Sequence, residues 1–162
     1  MKNKNIKHIT LVTLLLSTHC VFSQTDNLSI DSYMSKAQNA VKLSLNDLAI
    51  QYYKSAIETN PMMAEAYFEL GCLYTKMEHY IQAITNLNMA LEINPNHADA
   101  HERLSYVYTE NEDYELAYQH AQKAIELNPL SPSAYATMGI YYCIKKEHIL
   151  NVFLKYILLF YS

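Results

Sequence analysis

Apolar and polar positions recur along this chain at an interval of 34 residues. Ala56-Ile57-Glu58-Thr59-Asn60-Pro61 returns as Ala90-Leu91-Glu92-Ile93-Asn94-Pro95, and again as Ala124-Ile125-Glu126-Leu127-Asn128-Pro129. Self-similarity at a fixed period of this size marks a repeat architecture, each repeat being one supersecondary unit. Other columns keep the same register. Tyr67, Leu70, Gly71 and Tyr74 align with His101, Leu104, Ser105 and Tyr108, and then with Tyr135, Met138, Gly139 and Tyr142. Tyr80 matches Tyr114, and Ala49, Ala83 and Ala117 form a small-residue column, as do Ala56, Ala90 and Ala124.

Spacings of three and four place Tyr67, Leu70, Gly71 and Tyr74 on one helical stripe. Each unit therefore predicts two antiparallel helices of roughly 12 to 14 residues joined by short turns. A mid-helix glycine costs about 1 kcal/mol relative to alanine, so Gly71 and Gly139 are expected where another helix crosses closely. Each Asn-Pro is expected to end a helix, because proline cannot continue it and biases the preceding residue toward extended angles. Ser131-Pro132 reads as an N-cap with proline at the first helical position.

Taken together, Tyr67-x-x-Leu70-Gly71-x-x-Tyr74, Ala83, Ala90 and Pro95 resemble the tetratricopeptide repeat, with tyrosine in place of the usual tryptophan. Two units match well, about Ala64 to Asn96 and Ala98 to Leu130. A divergent first unit, about Ile30 to Asn60, keeps Tyr33, Ala49, Tyr53 and Ala56, with Pro61 after it, but carries Lys36, Ala37 and Ala40 in its opening helix. Terminal repeats are often atypical. The resemblance implies an all-α, right-handed solenoid of antiparallel helix pairs, with three repeats and a degenerate or truncated fourth. It also implies a protein-binding scaffold.

The fourth unit begins in register and then departs from it. The small-residue columns fall on Asn151 and Leu158, and between Ile149 and Tyr161 only Asn151 and Lys155 are polar. An amphipathic second helix needs a polar face. Lys145-Lys146-Glu147-His148 resembles Lys76-Met77-Glu78-His79, after which a tyrosine is expected and Ile149 stands. Three readings stay open: an apolar capping helix, a segment that touches a membrane or partner although too short to span, or a frame shift near residue 146.

The amino terminus changes the picture of where the chain works. Lys2, Lys4 and Lys7 precede an apolar run from Ile9 to Leu16, and Val21-Phe22-Ser23 ends in a small residue before Gln24. This is the pattern of a cleaved export signal. His19 before Cys20 argues against a lipidated cysteine. The expected organisation is a signal peptide over 1–23, a linker over 24–29, the repeat domain over 30–144 and an apolar tail or capping helix over 145–162. The expected location is exported, periplasmic or secreted in a bacterial envelope.

Composition then narrows the partners. Two glycines and four prolines suit helices. Without the first 23 residues, nine basic residues face sixteen acidic ones, a net charge near −7, and Arg103 is the one arginine in the sequence. Nucleic-acid binding needs a basic footprint, so none is expected. No stable membrane span is expected in the mature chain. Cys72 and Cys143 lie in different repeats and are expected as buried free thiols.

Candidate chemistry adds little. The sequence holds no glycine-rich phosphate loop, nucleophile elbow or paired-cysteine metal motif, so neither an enzyme nor a cofactor is expected. His97 and His101 are spaced as zinc ligands can be, but His101 occupies a tyrosine column and is expected to pack. The methionines at 62, 63, 77, 89 and 138 are expected to fill core or groove. In this family the first helix of each pair lines the concave face. The candidate groove residues are Glu65, Phe68, Glu69 and Cys72, then Asp99, Glu102, Arg103, Tyr106 and Thr109. That face is acidic with aromatic interruptions and suits an extended peptide bearing basic and apolar side chains. Some relatives clamp a C-terminal carboxylate with several basic residues, which this chain lacks. The expected partner is a protein or peptide, with self-association through the apolar C-terminal end a further expectation. The alternative is a truncated or frame-shifted fragment of a larger sensory or regulatory envelope protein.

Overall fold

The fold is a computed structural model that describes residues 29–160. The expected signal segment, residues 1–23, and the linker up to residue 28 lie outside the described residues. The described chain is helical with short turns: α1 over 29–42, α2 Asn46–Thr59, α3 Ala64–Lys76, α4 Tyr80–Ile93, α5 Ala98–Glu110, α6 Tyr114–Leu127 and α7 Pro132–Phe160. It divides into two compact units, Met1–Met62 and Met63–Ser162.

In the first unit α1 and α2 form a helix pair. Ile30, Met34, Ala37 and Ala40 of α1 and Ala49, Tyr53 and Ala56 of α2 are buried. Lys36 Nζ lies 5.9 Å from the centroid of the Tyr52 ring, joining the two helices by a cation–π contact at the outer limit of such distances. In the second unit each helix packs on the next, from α3 to α7, while α3 also touches α5 and α5 touches α7. The first helices of successive pairs therefore stand side by side. Ala83 and Leu87 of α4 meet Ala100, Leu104 and Val107 of α5 in a fully buried cluster ringed by Phe68, Tyr74, Tyr80, Ile84, Leu91 and Tyr108. Burying a leucine such as Leu87 contributes about 1.5–3 kcal/mol. A smaller cluster of Ala121, Ala124 and Ala134, with Ile125 and Met138, joins α6 to α7.

Two turn types alternate, and both repeat with the sequence period. Between the helices of a pair, Ser44, Glu78 and Glu112 adopt left-handed backbone angles, with φ of 58°, 59° and 63°. His79 N–H then donates to Tyr74 O at 2.9 Å and Glu78 N–H to Thr75 O at 3.0 Å. Asp113 to Tyr108 (2.9 Å) and Glu112 to Thr109 (3.1 Å) reproduce this. These are Schellman closures, which satisfy the orphan carbonyls at a helix end. Between pairs, α2, α4 and α6 stop before Asn60, Asn94 and Asn128, as the Asn-Pro reading predicts. The asparagines have a role of their own. Each side-chain oxygen accepts from the N–H two residues on: Met62 at 3.1 Å, Asn96 at 3.3 Å and Leu130 at 3.2 Å. This Asx turn carries the chain around the proline.

The column of Tyr53, Leu87 and Ala121 is buried throughout. A Cβ placed on Gly71 would stand 2.7 Å from Leu87 Cγ, so the glycine is required by the helix crossing there. In the next pair the alanine at 121 coincides with Ser105 in the glycine column, also buried.

The fourth unit departs from two expectations. A Cβ on Gly139 would meet nothing within 4 Å, so no helix crosses it. Cys143, expected as a buried thiol, is exposed, and Cys72 is half-buried; both are free. Both departures share one cause. Residue 146, which follows Ser44, Glu78 and Glu112 in the turn register, stays helical, and α7 runs straight on for 29 residues. Among the described residues no returning second helix covers it. Elsewhere Met62, expected as a filler, is exposed, while Met138 does fill the α6–α7 cluster. Among the described residues no helix is long and apolar enough to cross a membrane.

Candidate functional site

The side-by-side placement of α3 and α5 opens a cleft of about 490 Å³ lined by Cys72, Thr75, Lys76, Glu78, Tyr80, Arg103, Tyr106 and Glu110. Three candidate residues, Cys72, Arg103 and Tyr106, converge here. Burial pushes the Cys72 thiol up to about 11, and the charge and hydrogen bond of Arg103 only partly offset it. The thiol therefore stays protonated at neutral pH, and a protonated thiol is a poor nucleophile. Tyr106 offers an exposed ring at the cleft wall.

The other candidates divide among structural tasks. Phe68 packs on the α4–α5 core and against the His97 ring, centroids 4.6 Å apart. Glu65 lies 3.7 Å from His97 Nε2, while His97 Nδ1 accepts from Ala100 N–H and caps α5. Glu102 accepts a short hydrogen bond from Ser131, whose oxygen also accepts from Ala134 N–H at 3.2 Å. Ser131 thus caps α7 as its sequence predicts. Burial alone would raise the Glu102 carboxyl, but hydrogen bonds from Ser131 and Ser133 and the Arg103 charge hold it below its ordinary value. Thr109 donates to Ser105 O at 2.8 Å. Asp99 stands exposed in the first turn of α5. Glu69 belongs to the surroundings of Cys72, where its charge raises the thiol.

Thr75, Lys76, Glu78, Tyr80 and Glu110 line the cleft without having been picked from sequence. Their signal was present: Thr75 and Lys76 continue the Glu69–Cys72 stripe by one helical turn. Glu110 is Lys76 advanced by one 34-residue period.

His97 and His101 make separate contacts. His101 Nε2–H donates to Pro95 O at 3.2 Å, so its Nδ1 accepts from His120 Nδ1–H at 3.0 Å. Tyr108 stacks on the far ring, centroids 5.5 Å apart. Burial and the neighbouring His101 push His120 down to about 4, and burial also lowers His101. Among the described residues no three His, Cys, Asp or Glu side chains gather as a metal site. A smaller cleft of about 200 Å³ between α6 and α7 is lined by Tyr114, Glu115, Tyr141, Ile144, Lys145 and His148. It is closed on one side by the Lys145–Glu115 ion pair at 2.7 Å.

Helix pairs at 34-residue spacing with a glycine-on-leucine crossing define a family, and family models decide it: models described as tetratricopeptide repeat match residues 34–76, 64–97 and 98–129. The chain belongs to the tetratricopeptide-repeat family. Its fold is the all-α helical-repeat solenoid of that family, and similar solved structures agree. The Arabidopsis OM64 TPR domain superposes with a TM-score of 0.69 at 19% identity, over 72% of this chain and 97% of that one. The first TPR of Spaghetti (RPAP3), bound to the HSP90 peptide SRMEEVD, gives 0.70 at 17%, over 74% and 94%. MamA gives 0.69 at 24%, over 80% and 74%. No curated protein matches in sequence.

Proposed function

We propose that this tetratricopeptide-repeat protein is an exported interaction module that holds an extended peptide across the face shared by α3 and α5. The observation that carries this reading is the cleft of Cys72, Thr75, Lys76, Glu78, Tyr80, Arg103, Tyr106 and Glu110. It combines an exposed aromatic ring, two cations and two carboxylates, the mixture of apolar anchor and polar rim that peptide recognition uses. The solved TPR of Spaghetti holds an acidic peptide, SRMEEVD. The face here is of the other polarity, since Glu65, Glu69, Glu78, Asp99 and Glu110 outnumber Lys76 and Arg103. The ligand it fits carries basic and apolar side chains. Burial keeps the cleft thiol of Cys72 protonated and a poor nucleophile, which supports a holding role for this cleft. Lys2, Lys4, Lys7, the run Ile9 to Leu16 and the Ser23-Gln24 junction support export to a bacterial envelope as a scaffold or adaptor.

The test is a crosslinking pull-down from envelope fractions with the wild-type chain and an Arg103→Ala/Tyr106→Ala variant. Loss of one specific protein from the variant is expected. Equal recovery by both overturns the groove as the binding surface.

A second reading is favoured by one observation: residue 146 stays helical where Ser44, Glu78 and Glu112 turn. A frame shift near that position makes the chain a fragment of a larger repeat-containing regulatory protein. Translating the gene beyond residue 146 in the other frames tests it; if none continues the 34-residue pattern, the fragment reading falls.

A further inference from the structure

We infer that the cleft between α6 and α7 is a second binding site, which receives an arginine side chain of a partner polypeptide where Lys145 now sits. The site is built around one ring. Tyr118 stacks on Tyr141 with centroids 4.4 Å apart, and Tyr142 meets Tyr141 edge-on at 5.7 Å. The Tyr118 and Tyr142 hydroxyls are hydrogen-bonded at 3.2 Å, which closes the cluster and fixes the ring. Lys145 Nζ stands over Tyr141, 5.4 Å from its centroid, and meets Glu115 Oε1 at 2.7 Å. A ring face and a carboxylate converging on one point attract a cation, and the chain's own ammonium marks that point. The cleft of about 200 Å³ beside it, lined also by Tyr114, Ile144 and His148, has room for a side chain.

The repeat does not need these groups. One period earlier, the positions of Glu115, Tyr118, Tyr141 and Lys145 hold Ile81, Ile84, Val107 and Asn111. There Ile84 packs against the core that contains Val107, and no charge is involved. Asn111 also ends its helix, whereas α7 runs on and carries Lys145 and His148 alongside Tyr114 and Glu115 at the start of α6. The cleft thus exists because the fourth unit stays straight, and helix packing alone does not explain the side chains that line it.

The chemistry selects the occupant. The Lys145 and Glu115 side chains are 46% and 64% exposed. An exposed ion pair holds little net energy, so a guest displaces Lys145 at small cost. A guanidinium suits these groups better than an ammonium does. It lies flat on an aromatic ring and offers a carboxylate two parallel N–H donors, where an ammonium offers a point charge. An acidic guest would face Glu115 and be repelled. Lys145 is therefore a tethered competitor, and it sets the threshold that an arginine must exceed. This inference does not rest on the α3–α5 cleft, which is lined by other residues.

Fluorescence titration of acetyl-tryptophanyl-arginine amide with the full chain tests it. The chain contains no tryptophan, so the signal comes from the peptide. Lys145→Ala should tighten binding by about threefold or more, because the tethered competitor is gone. Lys146→Ala removes the same charge outside the cleft and should leave binding unchanged. Adding Glu115→Gln, at an exposed position, to Lys145→Ala should abolish the gain. All three results should persist when Arg103→Ala/Tyr106→Ala is also present, which separates failure of this cleft from failure of the larger one. No tightening by Lys145→Ala, equal tightening by Lys146→Ala, or equal binding of the uncharged citrulline counterpart overturns the inference. Methylguanidinium that displaces the peptide as effectively as acetyl-arginine amide would make this a small-ion site and overturn it too.

Discussion

Two glycines in the same column have opposite surroundings, and they make a direct test of what the repeat asks of a residue. At Gly71 an added methyl group meets buried Leu87. Overpacking of that kind typically costs 1–3 kcal/mol, against a helix-propensity gain of about 1 kcal/mol, so Gly71→Ala is expected to lower the melting temperature or leave it flat. Gly139→Ala gains the propensity and meets nothing within 4 Å, so the chain should be stabilised by about 0.5–1 kcal/mol. Parallel thermal melts of the two variants check this, and equal shifts would contradict the geometry. The His101–His120 pair sets a pH dependence. An unfolded imidazole protonates near 6.5, but folded His120 resists until about 4, so the unfolded chain binds more protons between those values. Stability present above pH 6.5 is lost as pH falls toward 4. Allowing for solvent screening, His120 should cost about 0.5–1 kcal/mol between pH 7 and 5.5. His120→Gln should flatten that part of a urea-denaturation series. A curve of unchanged slope would remove the pair from the pH account. The pH effect could not be read from sequence, because nothing in the repeat register announces that residues 101 and 120 touch.

At the scale of one element, what ends a helix matters as much as what fills it. The left-handed closing positions hold Ser44, Glu78 and Glu112, none of which is glycine. A left-handed non-glycine residue costs roughly 1 kcal/mol. Glu112→Gly, which leaves the peptide cleft untouched, should therefore raise stability by about 0.5–1 kcal/mol. Denaturant midpoints of the variant and wild type decide it, and a destabilised variant would mean the glutamate side chain has a task the geometry does not reveal. Helix boundaries were largely legible: the three Asn-Pro stops and the Ser131-Pro132 start fall where the residues place them. The Asx turns were not, since proline alone accounts for the stop and hides the asparagine's part. The length of α7 was not legible either. Whether a helix turns back depends on the backbone at residue 146; Ile149 in place of the expected tyrosine marks a departure there but does not say that the helix runs on.

At the scale of the whole molecule, the proposed peptide binding can be tested through charge. With Arg103 and Lys76 as the cleft's cations against a carboxylate-rich face, binding of a basic peptide should weaken markedly with salt. Fluorescence titration of a lysine- and leucine-containing peptide at low and at physiological ionic strength measures this. An affinity indifferent to salt would point to a purely apolar contact. The sequence by itself determined the repeat family, the helix pairs of the first three units and the alanine columns, because a 34-residue period writes packing into every unit. It also named Cys72, Arg103 and Tyr106. Tertiary structure decided the rest. It set Phe68, Glu102 and Thr109 to internal work, added Thr75, Lys76, Glu78, Tyr80 and Glu110 to the cleft, and left Gly139 uncovered among the described residues. Those outcomes depend on which helix stands beside which, and a linear period records the spacing of residues along one helix but not the distance to the next.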